Sequence, residues 1–140
     1  MKIRVLFLLL IVFTVTRLCL SALQTTRSVK DGVFTEDQRK RGYAQFQEKC
    51  SMCHGADMNG GEEAPALFGG NFMSDWNGLT VGDLADRIRV SMPPNNPELV
   101  NAQQRADIIS QILTANGYPA GAKELDPRME YLRQIKIEPK

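Results

Sequence analysis

The residues whose spacing carries chemistry are Cys50-Ser51-Met52-Cys53-His54. Two cysteines three apart place both sulfurs on one side of a helical turn, and a histidine directly after the second can present a ring nitrogen to whatever the sulfurs hold. This pattern attaches a c-type haem: the thiols form thioether bonds to the porphyrin edge, and the imidazole becomes the proximal ligand of the iron. Three other chemistries share part of the pattern. A structural zinc site usually takes four ligands. Outside its first twenty residues the chain holds only these two cysteines, and His54 is its one histidine, so zinc is a ligand short unless a carboxylate fills in. A thioredoxin-like CxxC opens a helix in a βαβ pattern, and neither Tyr43 to Lys49 nor Gly55 to Gly61 reads as a strand. A plain disulfide would leave His54 without a task.

With one histidine, bis-histidine ligation within one chain is excluded, and the soft donors for the other face of the iron are methionines. Met/His ligation raises the reduction potential, as an electron carrier needs. Met52 lies inside the turn and Met58 four residues past His54, so neither reaches the opposite face easily. Of Met73, Met92 and Met129, Met92 leads: Pro93 and Pro94 stiffen an extended loop at the end of a helix and hold the side chain out. Met73 is the reserve, and the alternative for any one methionine is to fill core.

Around this site, 140 residues suggest one domain. Residues 1–22 read as a secretory signal: Lys2 and Arg4, an apolar run from Val5 to Val15, then Ser21-Ala22 near a cleavage point. The run is short for a bilayer span, and an uncleaved anchor is the alternative. Cys19 lacks the small preceding residues of lipoprotein processing and falls in the discarded segment. Cleavage after Ala22 leaves 118 residues with 14 basic and 16 acidic side chains, because Lys2, Arg4 and Arg17 are lost and no acid is. A near-neutral chain has no basic face for nucleic acid. Export to a periplasmic or secreted location suits haem attachment and leaves no stable membrane span.

Residues 23–34 are polar, without apolar period, and read as a flexible leader. Thr35 caps a first helix to about Lys49, with Gln38 three residues on as in a capping box. Gly42 inside it costs up to about 1 kcal/mol against alanine, which points to a close helix crossing with Tyr43 and Phe46 around it. After the CxxCH turn the chain reads as loop through Gly70, with a turn at Asp75 to Gly78. Thr80 caps a second helix carrying Leu84 and Ile88, which ends before Met92-Pro93-Pro94. Asn101 to Leu113 is a third, stopped at Asn116-Gly117. No segment alternates as a strand does, so the class is all-α with long loops. So few short helices bury little surface alone; a large apolar ring gives the loops something to cover.

Gly42-x-x-x-Phe46, Cys50-x-x-Cys53-His54-Gly55, Ala64-Pro65-x-Leu67-x-Gly69 and Met92-Pro93-Pro94 together resemble class I c-type cytochromes, in particular the monohaem domains found alone or with quinoprotein alcohol dehydrogenases. The resemblance covers residues 35–125 and leaves 126–140 as a C-terminal extension that wraps the domain or meets a partner. It implies a cytochrome c fold of three to five helices around one haem c, attached through Cys50 and Cys53, with the first and last helices crossing near Gly42. It implies that His54 and Met92 ligate the iron, that the Pro65 carbonyl accepts the His54 ring N–H, and that Leu67 covers the ring. Trp76 would lie near the propionates, as a hydrogen-bond donor or a buried loop anchor. Arg87 and Arg89 are propionate partners or solvated charges, and Arg39-Lys40-Arg41 reads as solvated surface. The function implied is single-electron transport, with a dehydrogenase as donor and an oxidase or another cytochrome as acceptor. The alternatives are a subunit of a larger dehydrogenase complex, or a haem enzyme or gas-binding protein with an open sixth position.

Overall fold

The computed structural model describes residues 26–140, and the expected signal segment lies outside them. The elements run β1 (Arg27–Ser28), α1 (Glu36–Lys49), α2 (Ser51–His54), α3 (Gly69–Trp76), α4 (Val81–Ser91), α5 (Ala102–Ala115), α6 (Met129–Leu132) and β2 (Ile135–Lys136). Short 3-10 turns stand at Val29–Asp31 and Pro97–Leu99. The fold is helical, with one two-stranded parallel ladder, Arg27 opposite Ile135 and Ser28 opposite Lys136.

Each long helix starts at a side chain that satisfies its free N–H groups. Thr35 accepts from the Gln38 N–H at 3.2 Å. Thr80 and Asp83 form a reciprocal capping box, as do Asn101 and Gln104. Gln38 departs from the capping-box expectation. Its side chain is buried and reaches across the molecule to the Leu125 backbone, donating to its carbonyl at 3.0 Å and accepting from its N–H at 2.6 Å. The tail is thereby tied to α1 by a strand-like pair of bonds.

Helix α1 crosses α5 at Gly42, where a Cβ would run into the Asp107 carbonyl. Only a glycine lets the two backbones meet, and Phe46, Ile109 and Leu113 close the core, each fully buried. Arg41 is exposed, as expected of solvated surface, but it is also paired. It straddles the crossing, paired with the buried Asp107 carboxylate at 3.1 Å and with Glu124 at 2.8 Å, and these two carboxylates raise its pKa. Arg39 and Lys40 pair with Glu36 and Asp37 one turn back.

Two further expectations are overturned. Residues 26–34 are not a flexible leader: Val29, Val33 and Phe34 are buried, β1 pairs with β2, and Ser28 Oγ donates to Glu138 at 2.8 Å. The apolar positions have no helical period because they plug a seam rather than line a helix face. The stretch expected as loop and turn contains helix α3, whose first N–H, on Gly69, donates to the Asn116 side chain at 3.1 Å. Its cap comes from the end of α5, so the local sequence carries no start signal. The C-terminal extension wraps the domain, burying Leu132, Ile135 and Ile137.

Candidate functional site

Helix α1 delivers Cys50 at its C-terminal end, and α2 turns Cys53 and His54 onto the same side. Both cysteines are free thiols. Burial pushes the Cys50 thiol up to about 11, against the pull of Lys49. A thiol held protonated is unlike the activated thiolate of an exchange-active CxxC.

The loop after α2 folds back on the histidine. Gly60 N–H donates to the His54 carbonyl at 2.8 Å and Gly61 N–H to the Ala64 carbonyl at 2.9 Å, which brings Pro65 beside the imidazole. His54 is buried, with Nδ1 2.9 Å from the Pro65 carbonyl. A carbonyl only accepts, so Nδ1 is the donor, and in the neutral ring the lone pair then sits on Nε2. That is the neutral tautomer a metal-ligating imidazole needs, fixed by a backbone oxygen.

These residues open on a cavity of about 970 Å3 whose wall also includes Phe46, Leu67, Trp76, Leu84, Ile88, Met92 and Pro93. That is the upper end of what small-molecule and cofactor sites span. Met92 ends α4: its N–H closes the last turn on the Ile88 carbonyl at 3.0 Å, and its backbone is already extended. The wall therefore gathers two thiols, an imidazole and a thioether among apolar side chains, with Lys49, Glu63, Asp75, Asp83, Asp86 and Arg87 also on it. Among the described residues no group of three or more His, Cys, Asp or Glu side chains could hold a metal ion by itself, so the zinc alternative finds no fourth donor.

Every residue singled out for the site in the sequence, Cys50, Cys53, His54, Pro65, Leu67, Trp76 and Met92, lines this one cavity. The other methionines do not. Met73 Sδ lies 3.5 Å from the Tyr118 hydroxyl oxygen, Met58 is buried off the wall, and Met52 is almost wholly exposed. Met129 packs against the core. Arg87 is on the wall, whereas Arg89 turns to Asp86 at 2.7 Å. Sequence reasoning did not place Lys49, Val100, Ile108 and Ile112 on the wall. For the last two the signal was present, because they sit one position before the apolar stripe of α5 and widen it beyond one neighbour.

The chain matches the family described as "Cytochrome C oxidase, cbb3-type, subunit III" over residues 37–110, just over half its length. This chain belongs to that family. Neither a curated protein nor a solved structure matches it. The domain is a class I c-type cytochrome with the all-α cytochrome c fold, its cofactor is covalently bound haem c, and Cys50 and Cys53 have the CXXCH spacing of that attachment. Electron transfer with redox partners follows from the family. Among the described residues no helix is long and apolar enough to cross a membrane. The donor set fits the haem: soft sulfur and an imidazole nitrogen on a largely apolar wall.

Proposed function

We propose that the protein is a monohaem electron carrier in which His54 and Met92 hold the two axial positions of a haem stitched to Cys50 and Cys53. The observation that carries this reading is the hydrogen bond from His54 Nδ1 to the Pro65 carbonyl, which leaves Nε2 free as a donor on the cavity wall that also bears Met92. When bound, the haem supplies a one-electron ferric–ferrous couple.

The protein's own part is to keep that couple's surroundings constant. Pro65 fixes the tautomer and orientation of His54. Leu67, Leu84 and Ile88 supply apolar wall, and a low-polarity surrounding with a thioether ligand favours the ferrous form and raises the potential. With His54 and Met92 as its two axial ligands, the iron would have no open position for a substrate. Arg87 and Lys49 are the cations on the wall, of which Arg87 would pair with a propionate, and Trp76 stands on the same wall. The carrier would work in the periplasm, taking electrons from a dehydrogenase and giving them to an oxidase or another cytochrome.

The visible spectrum and carbon monoxide binding of Met92→Ala beside wild type test the ligation. Ferrous wild type should bind carbon monoxide slowly and incompletely, and Met92→Ala rapidly and fully, with a lower potential. Rapid, complete binding by wild type would contradict the carrier and favour an open sixth position. The family's description as an oxidase subunit gives weight to a second reading, a haem subunit of a larger complex. Co-purification of the native protein with a larger redox enzyme distinguishes that from a free carrier.

A further inference from the structure

Helix α4 is shared between two neighbours. It contributes Leu84, Arg87, Ile88 and, at its end, Met92 to the cavity wall. Its beginning is held by the C-terminal strap, residues 129–138, no member of which lines the cavity. Gly82, in the first turn, lies against the strap backbone: a Cβ there would stand 2.9 Å from the Arg133 nitrogen and 3.0 Å from its Cα. Just before the helix, Gly78 N–H donates to the Ile137 carbonyl at 2.8 Å and Ile137 N–H to the Leu79 carbonyl at 2.9 Å.

The strap is itself anchored. Leu132 and Ile137 are buried in the core, the Tyr118 hydroxyl donates to the Glu138 carbonyl at 2.5 Å, and Arg27 N–H donates to the Gln134 carbonyl at 2.8 Å. A short helix gripped at its start moves as a rod, so a shift there reappears at its C-terminal residue. Packed elements respond by such discrete shifts rather than by smooth deformation.

We propose that the C-terminal strap is a positioning device for Met92: Gly82 and Leu132 set where α4 sits, and thereby how completely the Met92 sulfur is held at the iron. The proposal rests on the assignment of Met92 as axial ligand. It gives the extension beyond residue 125 a role in the redox site although it never touches that site.

The test uses the full-chain holoprotein. Carbon monoxide enters the iron position that a ligating sulfur occupies, so its binding rate to the ferrous protein reads the population with Met92 displaced. Gly82→Ala and Leu132→Ala should each bind carbon monoxide about tenfold faster than wild type, as expected if the displaced population rises about tenfold. Their covalent haem, read by intact mass, should be unchanged. Ile109→Val, buried at the α1–α5 crossing and off the cavity wall, should weaken the fold and leave the rate at the wild-type value. Tyr118→Phe, which removes the bond to Glu138, gives a smaller rise and serves if the other two fail to hold haem. Strap variants at the wild-type rate, or Ile109→Val as fast as they are, would overturn the proposal. Should Met92→Ala itself match wild type, the axial assignment falls and takes the proposal with it; should it differ while the strap variants do not, the proposal alone falls.

Discussion

The two sides of α1 are built differently. At its C-terminal end the helix opens on a cavity of about 970 Å3 walled by loops and helix ends, where Cys50, Leu67, Trp76 and Met92 are only partly buried. In its middle it meets α5 so closely that Gly42 has no space for a methyl group, and at its start Gln38 is locked to Leu125. One side is shaped to receive a large rigid group, and the other is as tight as a protein interior can be. The difference teaches a division of labour: the tight side fixes α1 and α5, and these in turn fix the two thiols and part of the wall that the loose side offers. A redox site whose ligands must not move between oxidation states benefits from being mounted on the part of the molecule least able to relax.

That comparison can be broken first at the crossing. Gly42→Val should lower stability by about 3 kcal/mol, the upper end for overpacking a filled site, as read from denaturant unfolding of the holoprotein. If the sides are separable, the visible spectrum of the fraction that remains folded is unchanged. A Gly42→Val protein as stable as wild type would show that the crossing is loose.

The next largest effect belongs to Gln38. Gln38→Leu leaves the Leu125 N–H and carbonyl buried without partners, and such unsatisfied groups cost about 2 kcal/mol. The loss should appear as protease cleavage after residue 125 and as reduced stability with an intact haem spectrum. No change in either would mean that the tail is held by its apolar residues alone.

The smallest effect sharpens the comparison on the cavity side. The Thr80 hydroxyl and N–H both donate to Asp83, at 2.7 and 2.8 Å, and these bonds hold the Asp83 carboxyl below its usual range. A depressed carboxylate pKa adds stability that is present above the ordinary carboxylate value and is lost as pH falls through the folded one. Thr80→Ala should therefore cost about 1 kcal/mol at neutral pH, as for other lost caps, and flatten the acid limb of the stability curve. An acid limb identical to wild type would remove the capping box from the account.

How much of this was legible in the sequence follows from how local each signal is. The thiols and imidazole sit within five residues and the Met92 loop announces itself by two prolines, so the chemistry could be read without knowing the fold. Helices α1 and α4 were equally readable, because Thr35 and Thr80 are their own start signals, and α5 was readable from its stop at Asn116-Gly117. What could not be read depends on partners far along the chain. Helix α3 is capped by Asn116. Val29, Val33 and Phe34 look like an unstructured leader until Ile135 and Lys136 return to pair beside them. Gln38 resembles the third residue of a capping box, and only the fold reveals that its amide serves Leu125. The pairing of the exposed Arg41 was hidden for the same reason, since Asp107 is on another helix.

The claim on which the rest depends is that one porphyrin is bonded to Cys50 and Cys53. Intact mass of the purified protein, taken with its visible absorption under denaturing conditions, tests it most directly. The account predicts the mass of the polypeptide plus one haem, with colour that stays with the chain after unfolding and is lost in a Cys50→Ala, Cys53→Ala double variant. A colourless protein at the mass of the bare polypeptide would contradict it.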